Sequence, residues 1–236
     1  MKALILAAGL GSRLEHKTEK TPKAMVKVSG LPIISHQLFA LQANDIYEIG
    51  VVLGYKGDIL KDYLLKTHPN MAFSFFLNNE YSKSNSAYSF YLASDYIKNE
   101  QYIHLNCDIL FSSELLCGII NLNKNNVIAV NYDVNLTNNM ELVTIGESNI
   151  IISMNNLLYE GAVAKAYGLA KLSPDSTNYI IKKIEQFLID GDYNQNYYGI
   201  IRQAVKKIDY HCFNSGKMFL SEINTLSDYE RTLNIL

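Results

Sequence analysis

LILAAGLGSRL, residues 4–14, begins as a hydrophobic run and continues with two glycines, a serine and an arginine. The continuous apolar residues up to position 7 are typical of a buried parallel strand. A Gly-x-Gly loop follows them, and its free backbone amides together with the Arg13 side chain suit a phosphate group. We therefore expect a buried strand that leads directly into a phosphate-binding loop.

Two well-known phosphate loops are excluded by the residues present. The dinucleotide fingerprint needs a third glycine where this chain has Leu14, and no clear acidic residue ends the second predicted strand. A Walker loop needs Gly-Lys-Ser/Thr, which does not follow. The alternative for a lone Gly-x-Gly is an ordinary turn. Arg13 and Lys23, which follows Thr21-Pro22, favour phosphate binding, because two fixed cations can neutralise a triphosphate.

The composition indicates a single domain that binds small molecules. The chain has 236 residues, 48% of them hydrophobic, with a net charge of -2 and no block of like charge, which argues against nucleic acid as a partner. The cysteines at 107, 117 and 212 form no C-x-x-C pair, so we expect reduced thiols rather than disulfides or structural zinc. No apolar run reaches the roughly 18 residues of a membrane span. We expect a cytoplasmic protein with no membrane partner.

The first half of the chain alternates predicted strands and helices. The predicted strands are 2–7, 49–53, 72–77 and 102–106, and the predicted helices are 33–43, 59–65 and 86–97. This alternation predicts an α/β fold with a central, mostly parallel sheet. Asp108 follows the fourth strand and therefore lies at the carboxyl edge of the sheet, where such folds bind ligands.

The second half is less regular and richer in short strands. We expect strands at 127–131, 142–152 and 164–172, and helices at about 175–189 and 198–206. This part is predicted to be a smaller, β-rich elaboration on one side of the sheet.

Several segments resemble a known family. The first is Leu6-Ala7-Ala8-Gly9-Leu10-Gly11-Ser12-Arg13-Leu14, with Thr18 and Thr21-Pro22-Lys23-Ala24-Met25 downstream. It resembles the signature of the nucleotidyltransferases that make sugar nucleotides and related compounds. Further segments resemble the small bacterial cytidylyltransferases of the phosphocholine type: Val52-Leu53-Gly54-Tyr55, Asn78-Asn79-Glu80-Tyr81, Asn85 to Leu92, Glu222-Ile223-Asn224 and Asp228-Tyr229.

The resemblance is weak between about residues 110 and 215. It implies a Rossmann-like nucleotidyltransferase fold in one domain over 1–236, with a nucleotide-binding half at about 1–110 and an acceptor-binding half at about 111–236. It also implies the reaction: a phosphate or phosphonate oxygen of an acceptor attacks the α-phosphorus of CTP, and pyrophosphate leaves. Such chemistry depends on positioning and charge neutralisation.

The resemblance assigns nucleotide-binding roles residue by residue. Arg13 and Lys23 are the catalytic cations, on the outer phosphates and near the α-phosphate respectively. The loop contributes Leu6, Ala8, Gly9, Gly11 and Ser12, and cytosine is assigned to Gly54, Tyr55, Asn85 and Ser86. The alternatives are a solvated loop arginine for Arg13, a helix-capping cation for Lys23 and an N-cap for Asn85-Ser86.

The predicted cofactor is Mg²⁺, with Asp108 as its first carboxylate ligand. Related enzymes have a second carboxylate in a stretch like Glu-Ile-Asp, where this chain has Glu222-Ile223-Asn224. Residues two apart share a strand face, so Glu222 is expected to supply the second charge and Asn224 a carbonyl oxygen. The alternatives are a turn-forming Asp108 and an edge carboxylate at Glu222.

The acceptor is the least defined partner. A choline head group would need an aromatic cage, and the chain has 17 tyrosines but no tryptophan. Tyr197 and Tyr198 are the predicted acceptor-binding aromatics, although no acid accompanies them, and Lys165 is the cation predicted to meet the acceptor's phosphate. The alternatives are core tyrosines and a solvated strand lysine.

The missing acid favours another phosphorylated or phosphonylated amine, such as glutamine phosphate or aminoethylphosphonate. We expect a product that modifies a cell-surface polysaccharide. Two other functions stay open, a sugar-1-phosphate nucleotidyltransferase and a catalytically idle nucleotide-binding module, as does the oligomeric state.

Overall fold

The computed structural model describes residues 1–235. They form a mixed sheet that is covered by helices. The strands are β1 (Lys2–Ala7), β2 (Lys27–Val28), β3 (Leu31–Pro32), β4 (Glu48–Leu53), β5 (Ala72–Leu77), β6 (Tyr102–Asn106), β7 (Ile109–Phe111), β8 (Val127–Asn131), β9 (Glu141–Ile145), β10 (Ile151–Asn155), β11 (Ala164–Leu172), β12 (His211–Asn214) and β13 (Leu220–Glu222).

Helices connect these strands and cover the sheet. The α-helices are α1 (Ile33–Gln42), α2 (Gly57–Thr67), α3 (Ser86–Leu92), α4 (Ser94–Ile97), α5 (Ser113–Asn121), α6 (Pro174–Ile189), α7 (Tyr197–Ala204) and α8 (Leu226–Leu233). Short 3₁₀ helices occupy Ser12–Lys17, Lys23–Met25 and Glu147–Asn149. Within residues 1–235, every helix is too short or too polar to cross a lipid bilayer.

The strand order of the main sheet is β10-β9-β11-β6-β1-β4-β5, with β8 bridging β11 and β12. Strands β6, β1, β4 and β5 are parallel. Strand β11 runs antiparallel to β6 and joins the β-rich second half to the same sheet. The predicted α/β class with a large, mostly parallel central sheet is confirmed, and the antiparallel part lies where the second half was expected to elaborate it.

Each face of the sheet is covered by its own core. Alternation along β1 sends Ala3 and Ile5 to one face, against α1, α2 and α5, and Leu4 and Leu6 to the other, against α3, α6 and α7. A parallel sheet buried on both faces explains why β1 is an unbroken apolar run. The face that carries Leu6 also borders the functional cleft.

Two predicted elements are divided in the structure. The helix expected at 86–97 is interrupted at Ala93, whose backbone leaves helical geometry (φ -102°, ψ 7°) between α3 and α4. The strand expected at 142–152 is the hairpin of β9 and β10, because Ser148 and Asn149 turn the chain with positive φ angles of 56° and 59°. Further short elements were not predicted: α5, α8, β7, β12 and β13.

Candidate functional site

A cleft of about 630 Å³ opens at the carboxyl edge of β1 and β6. Most predicted site residues line it: Leu6, Ala8, Gly9, Gly11, Ser12, Arg13, Lys23, Asn85, Ser86, Asp108, Tyr198, Glu222 and Asn224. Four others lie behind its wall: Gly54, Tyr55, Lys165 and Tyr197. The structure therefore brings together segments that are more than two hundred positions apart in sequence.

The loop after β1 is held in a shape that requires glycine at position 11. Gly11 has φ +68°, and a Cβ there would lie 3.0 Å from Lys23 Cβ and 3.1 Å from Thr18 Cγ2. The Thr18 hydroxyl donates to the Gly11 carbonyl at 3.1 Å. Leu14, which replaces the third glycine of a dinucleotide loop, is fully buried in a small core with Val26 and Ile223. The leucine therefore anchors the loop, of which Gly9, Gly11 and Ser12 line the cleft.

Two cations from separate segments meet at one asparagine. Lys23 Nζ donates to Asp108 Oδ2 at 2.7 Å and to Asn224 Oδ1 at 2.9 Å. Arg13 Nη2 donates to the same Asn224 oxygen at 2.9 Å. The Lys23 ammonium thus binds side chains across the cleft and caps no helix. With its oxygen already accepting from two cations, Asn224 acts here as their common acceptor.

The backbone of the loop that carries Asp108 is fixed from two directions, by a side chain of α1 and by the segment after β13. Gln37 Nε2 donates to the carbonyls of Asn106 and Ile109, each at 2.8 Å. The Ile223 amide donates to the Asp108 carbonyl at 2.9 Å, next to the pairing of β13 with β7. Asp108 Oδ1 is buried and has no hydrogen-bond partner within residues 1–235. An orphaned carboxylate oxygen of this kind is suited to a cation ligand.

Glu222 and Lys165 form an ion pair at the cleft wall. Lys165 Nζ lies 2.7 Å from Glu222 Oε2 and 4.4 Å from the centre of the Tyr167 ring. Burial, the largest single cause, would lower the pKa of Lys165, but Glu222, Tyr167 and Asp228 together outweigh it and the pKa is raised. Lys165 therefore stays charged and holds Glu222, which itself lines the cleft.

The amino end of α3 borders the cleft and is joined to the chain before α7. Asn85 Oδ1 accepts from the Ser86 amide at 2.8 Å, which is the N-cap arrangement. The backbone amide of Asn85 donates to the Tyr193 carbonyl at 3.0 Å, and the Ser86 hydroxyl accepts from the backbone amide of Tyr197 at 2.8 Å. Capping and exposure to the cleft are thus both present at these two residues.

Gly54 and Tyr55 support the glycine-rich loop after β1 from behind. A Cβ on Gly54 would lie 2.4 Å from the Ala8 carbonyl oxygen, so only glycine permits this close approach. The Tyr55 amide donates to that same carbonyl at 3.0 Å, and its hydroxyl donates to the Thr18 carbonyl at 3.2 Å. Tyr55 also packs edge-on against Tyr81 of the cleft lining, with the ring centres 6.1 Å apart, but neither Gly54 nor Tyr55 lines the cleft itself.

The two tyrosines of the expected cage differ in position. Tyr197 is 2% exposed, stacks on His104 with ring centres 4.3 Å apart and contacts Phe90 at 4.7 Å, so it packs in the core beneath the cleft. Tyr198 lines the cleft, and its hydroxyl donates to the Tyr167 carbonyl at 2.7 Å. Burial, then the Glu141 and Glu222 carboxylates, raise the pKa of Tyr198. These positions form no aromatic cage in residues 1–235.

Several polar residues of the cleft were not predicted. They include Asn78, Tyr81, Ser82, Ser84, Ser89, Asn106, Asn139, Glu141 and Asn196. Asn78 follows β5 at the carboxyl edge, so its position after a strand was a usable signal, and it donates to Ser84 and Ser89 at 3.0 Å each. Glu141, held by Arg202 Nε at 3.0 Å, had no local signal because its partner is 61 residues away.

Comparisons with known proteins agree with this geometry. A CTP:phosphoglutamine cytidylyltransferase of Campylobacter jejuni is 46% identical over 85 residues, 36% of this chain and 32% of that protein. A glucose-1-phosphate cytidylyltransferase of Salmonella typhimurium is 43% identical over 72 residues, 30% of this chain and 28% of that protein. The matched segments thus span about a third of these curated relatives.

A solved structure and a family profile extend the likeness. The CTP:phosphocholine cytidylyltransferase of Streptococcus pneumoniae superimposes with a TM-score of 0.80, covering 99% of this chain and 98% of that one at 22% identity, so the fold is shared. The family profile described as Nucleotidyl transferase matches residues 2–188. Because that match extends over well more than half of its length, this chain belongs to the nucleotidyl transferase family.

Proposed function

We propose that this protein transfers CMP from CTP to a phosphorylated or phosphonylated small amine or amino-acid derivative and releases pyrophosphate. The observation that carries the proposal is the meeting of Arg13 and Lys23 at Asn224, next to the orphaned Asp108 oxygen. Positive charge fixed beside a glycine-rich loop suits a triphosphate, and phosphoryl transfer depends mainly on such positioning.

Each residue has a role that follows from its place. Arg13 and the amides after β1 hold the outer phosphates, which become the leaving pyrophosphate. Lys23 neutralises charge at the α-phosphorus while the acceptor oxygen attacks in line with the leaving group. A cation aimed at charge that develops during reaction contributes on the order of 2–4 kcal/mol to lowering the barrier. Asn85 and Ser86 face the pyrimidine from the amino end of α3.

The proposed cofactor is Mg²⁺, which would be held by Asp108 and Glu222. Asp108 Oδ1 is buried without a partner, and Glu222 lies one strand pairing away, opposite Ile109. Mg²⁺ typically uses one or two protein carboxylates and completes its shell with phosphate and water oxygens. When bound, it would neutralise phosphate charge at the transfer point. Asn224 is proposed to hold the two cations rather than the metal, because its oxygen already accepts from both.

The acceptor half supports a small polar acceptor. Tyr198 offers only the small exposed part of a buried ring, and the cleft wall carries Glu141, Asn139 and Asn196 instead of a cage. The relative that acts on phosphoglutamine agrees with an amino-acid derivative. We further propose that the product modifies a cell-surface polysaccharide and is made in the cytoplasm, since the cysteines among residues 1–235 are free thiols.

A sugar 1-phosphate is the second candidate acceptor. The glucose-1-phosphate cytidylyltransferase relative favours it, and so do the amide side chains of the acceptor half, which suit hydroxyl groups.

One assay separates these candidates. Pyrophosphate release is measured with CTP, UTP, dTTP, ATP and GTP, each combined with phosphocholine, aminoethylphosphonate, glutamine phosphate and glucose 1-phosphate. We expect release with CTP and a phosphorylated or phosphonylated amine or amino acid. Release with glucose 1-phosphate alone would support the second candidate, and no release with any pair, despite CTP binding, would leave an idle nucleotide-binding module.

A further inference from the structure

The central strands contribute a small-residue floor to the cleft. From β1, β6 and β11 and the residue after β1, the lining consists of Leu6, Ala8, Asn106, Ala166 and Gly168, which we call the cleft floor. Asn106 is the polar side chain among these five. It lies two residues before Asp108, between Leu6 of β1 and the β11 strand of the acceptor half.

A buried histidine sets the orientation of the Asn106 amide. His104 is fully buried on the same strand face, and its Nε2 lies 3.3 Å from Asn106 Oδ1. Burial lowers the pKa of His104 to about 4, against a smaller opposite effect of Asn106, so the ring is neutral near pH 7. A carbonyl oxygen only accepts, so Nε2 carries the ring's hydrogen and donates it.

The opposite tautomer would be less favourable. His104 Nδ1 is buried without a partner in residues 1–235. With the hydrogen on Nε2, the unpaired Nδ1 is an acceptor. With the hydrogen on Nδ1, that N–H would be unpaired, and Nε2 and Asn106 Oδ1 would be two acceptors that face each other. The Asn106 oxygen is therefore committed to His104, and Gln37 holds the backbone carbonyl of the same residue at 2.8 Å.

The Asn106 NH₂ group lies above β11, on the side of the proposed acceptor half. A Cβ added to Gly168 would lie 2.4 Å from Asn106 Nδ2 and 2.5 Å from its Cγ, so glycine at 168 makes room for the amide. The structure gives Nδ2 no hydrogen-bond partner among residues 1–235. Position 106 thus presents a donor, with no acceptor beside it, above β11.

We propose that Asn106 Nδ2 donates a hydrogen bond to a phosphoryl oxygen of the acceptor, and that His104 is the positioning residue that aims this donor. The inference rests on the proposed function and deepens it. The amide leans towards β11 rather than β1, so it serves the acceptor rather than CTP. Because Asn106 Oδ1 is bonded to His104, Asn106 offers only a donor to the cleft and disfavours an ammonium group beside it. The acceptor's phosphoryl end therefore lies on the cleft floor and its amine elsewhere.

Steady-state kinetics with the best acceptor of the panel test this assignment. Asn106→Asp keeps the shape and replaces the donor by an anionic oxygen. We expect the KM for the acceptor to rise at least tenfold while the KM for CTP stays within twofold. Gly168→Ala, which displaces the amide, is expected to shift the acceptor KM in the same direction, and it decides the matter if Asn106→Asp fails to fold.

The histidine is tested by a rescue pair and a matched control. His104→Phe removes the donor and is expected to raise the acceptor KM, whereas His104→Gln restores an N–H and is expected to bring it back towards the original value. His68→Phe is the control, because His68 is also buried and bonded through Nε2, to Ser35 at 3.0 Å, away from the cleft. We expect it to leave both KM values unchanged.

The outcomes separate this inference from the proposed function. If the unmodified protein releases no pyrophosphate with any pair in the panel, the proposed function fails and the inference with it. If it is active and the Asn106 or Gly168 variants raise the KM for CTP, or change neither KM, the inference alone is overturned. Equal effects of His104→Phe and His104→Gln would remove the positioning role of His104.

Discussion

The two halves of the cleft arrange their charges in different ways. In the phosphate loop, Arg13 donates to a neutral asparagine and has no carboxylate partner within residues 1–235, so its charge stays available. In the acceptor half, Glu141 is paired with Arg202 and Glu222 with Lys165. The loop half therefore keeps the Arg13 charge for a ligand, although Lys23 is paired with Asp108, whereas both carboxylates of the proposed acceptor half are paired and fix its walls.

This difference leads to separate expectations for substitutions. Changes at the loop and its Asp108 partner should reduce turnover far more than stability. Changes in the paired acceptor wall should reduce stability first, because removing one member leaves the other partly buried without a partner.

Asp108→Asn is expected to lower turnover at least about thousandfold, because it removes the buried carboxylate oxygen that we assign to the metal and the partner of Lys23. Pyrophosphate release at saturating CTP, titrated with Mg²⁺, measures it. Asp62→Asn, on the exposed side of α2, is the matched control. Unchanged turnover and metal dependence would remove Asp108 from the site.

Lys23→Met is expected to raise the barrier by about 2–4 kcal/mol, since the ammonium is lost at the point of transfer. Methionine is chosen because Lys23 is 9% exposed, so its stem packs in the protein and alanine would add a cavity. Lys20→Met, at an exposed position of the same segment, serves as the control. Near-normal turnover of Lys23→Met would show that the loop cation is not catalytic.

His104 is expected to make the protein less stable in acid. Its pKa is about 4 when folded and 6.5 when unfolded, so below pH 6.5 the unfolded chain binds the extra proton. Stability should therefore fall as pH drops from about 6.5 to 4, by up to about 3 kcal/mol from this residue. Urea unfolding between pH 4 and 6.5 measures it. The free energy of unfolding should change less with pH in His104→Gln than in the unmodified protein, and an equal pH dependence in both would contradict the assignment.

Arg202→Met is expected to destabilise the fold by about 1–2 kcal/mol, because the Glu141 carboxylate loses a two-point partner but stays partly exposed to water. The double variant with Glu141→Gln should recover most of the loss. Urea midpoints measure both, and turnover should change only a few-fold. A large loss of turnover without a loss of stability would break the division between the two halves.

Glu222→Gln is expected to raise the Mg²⁺ concentration for half-maximal rate by about tenfold or less, roughly 1 kcal/mol, since one proposed ligand charge is removed. Asn224→Asp should be tolerated or lower that concentration, because it adds a charge near Lys23. A silent Glu222→Gln would mean that one carboxylate is sufficient. Activity that appears only in Asn224→Asp would support the idle-module alternative.

The parallel part of the fold was predictable because its signals are local. β1 and β6 have the predicted bounds, since a strand buried on both faces is a nearly continuous apolar run. β5 also has the predicted bounds, although it is a partly exposed edge strand. The glycine-rich loop was predictable for the same reason, because Gly9, Gly11 and Arg13 closely follow the strand that positions them. Its binding of phosphate stays a prediction. The break at Ala93 was not, because the apolar spacing continues across it.

The acceptor half was harder because its important contacts join distant residues. Nothing near Glu141 indicates that Arg202 will hold it, and nothing near Lys165 indicates Glu222. Tyr197 and Tyr198 are adjacent in sequence, yet one packs beneath the cleft and the other lines it. A tyrosine on an amphipathic helix fits core packing as well as ligand contact, so only the structure separates the two positions. The roles of the lining residues stay predictions.

The junction between α3 and the segment before α7 limits how the two halves can be recombined. The Asn85 amide donates to the Tyr193 carbonyl, the Ala87 amide to the Gln195 carbonyl at 3.1 Å, and Ser86 accepts from the Tyr197 amide. A chimera that takes its acceptor half from a relative would have to bring these backbone positions with it, in register. Under the proposed function, acceptor preference is therefore not freely exchangeable between relatives, and grafting experiments should treat residues 85–87 and 193–197 as one unit.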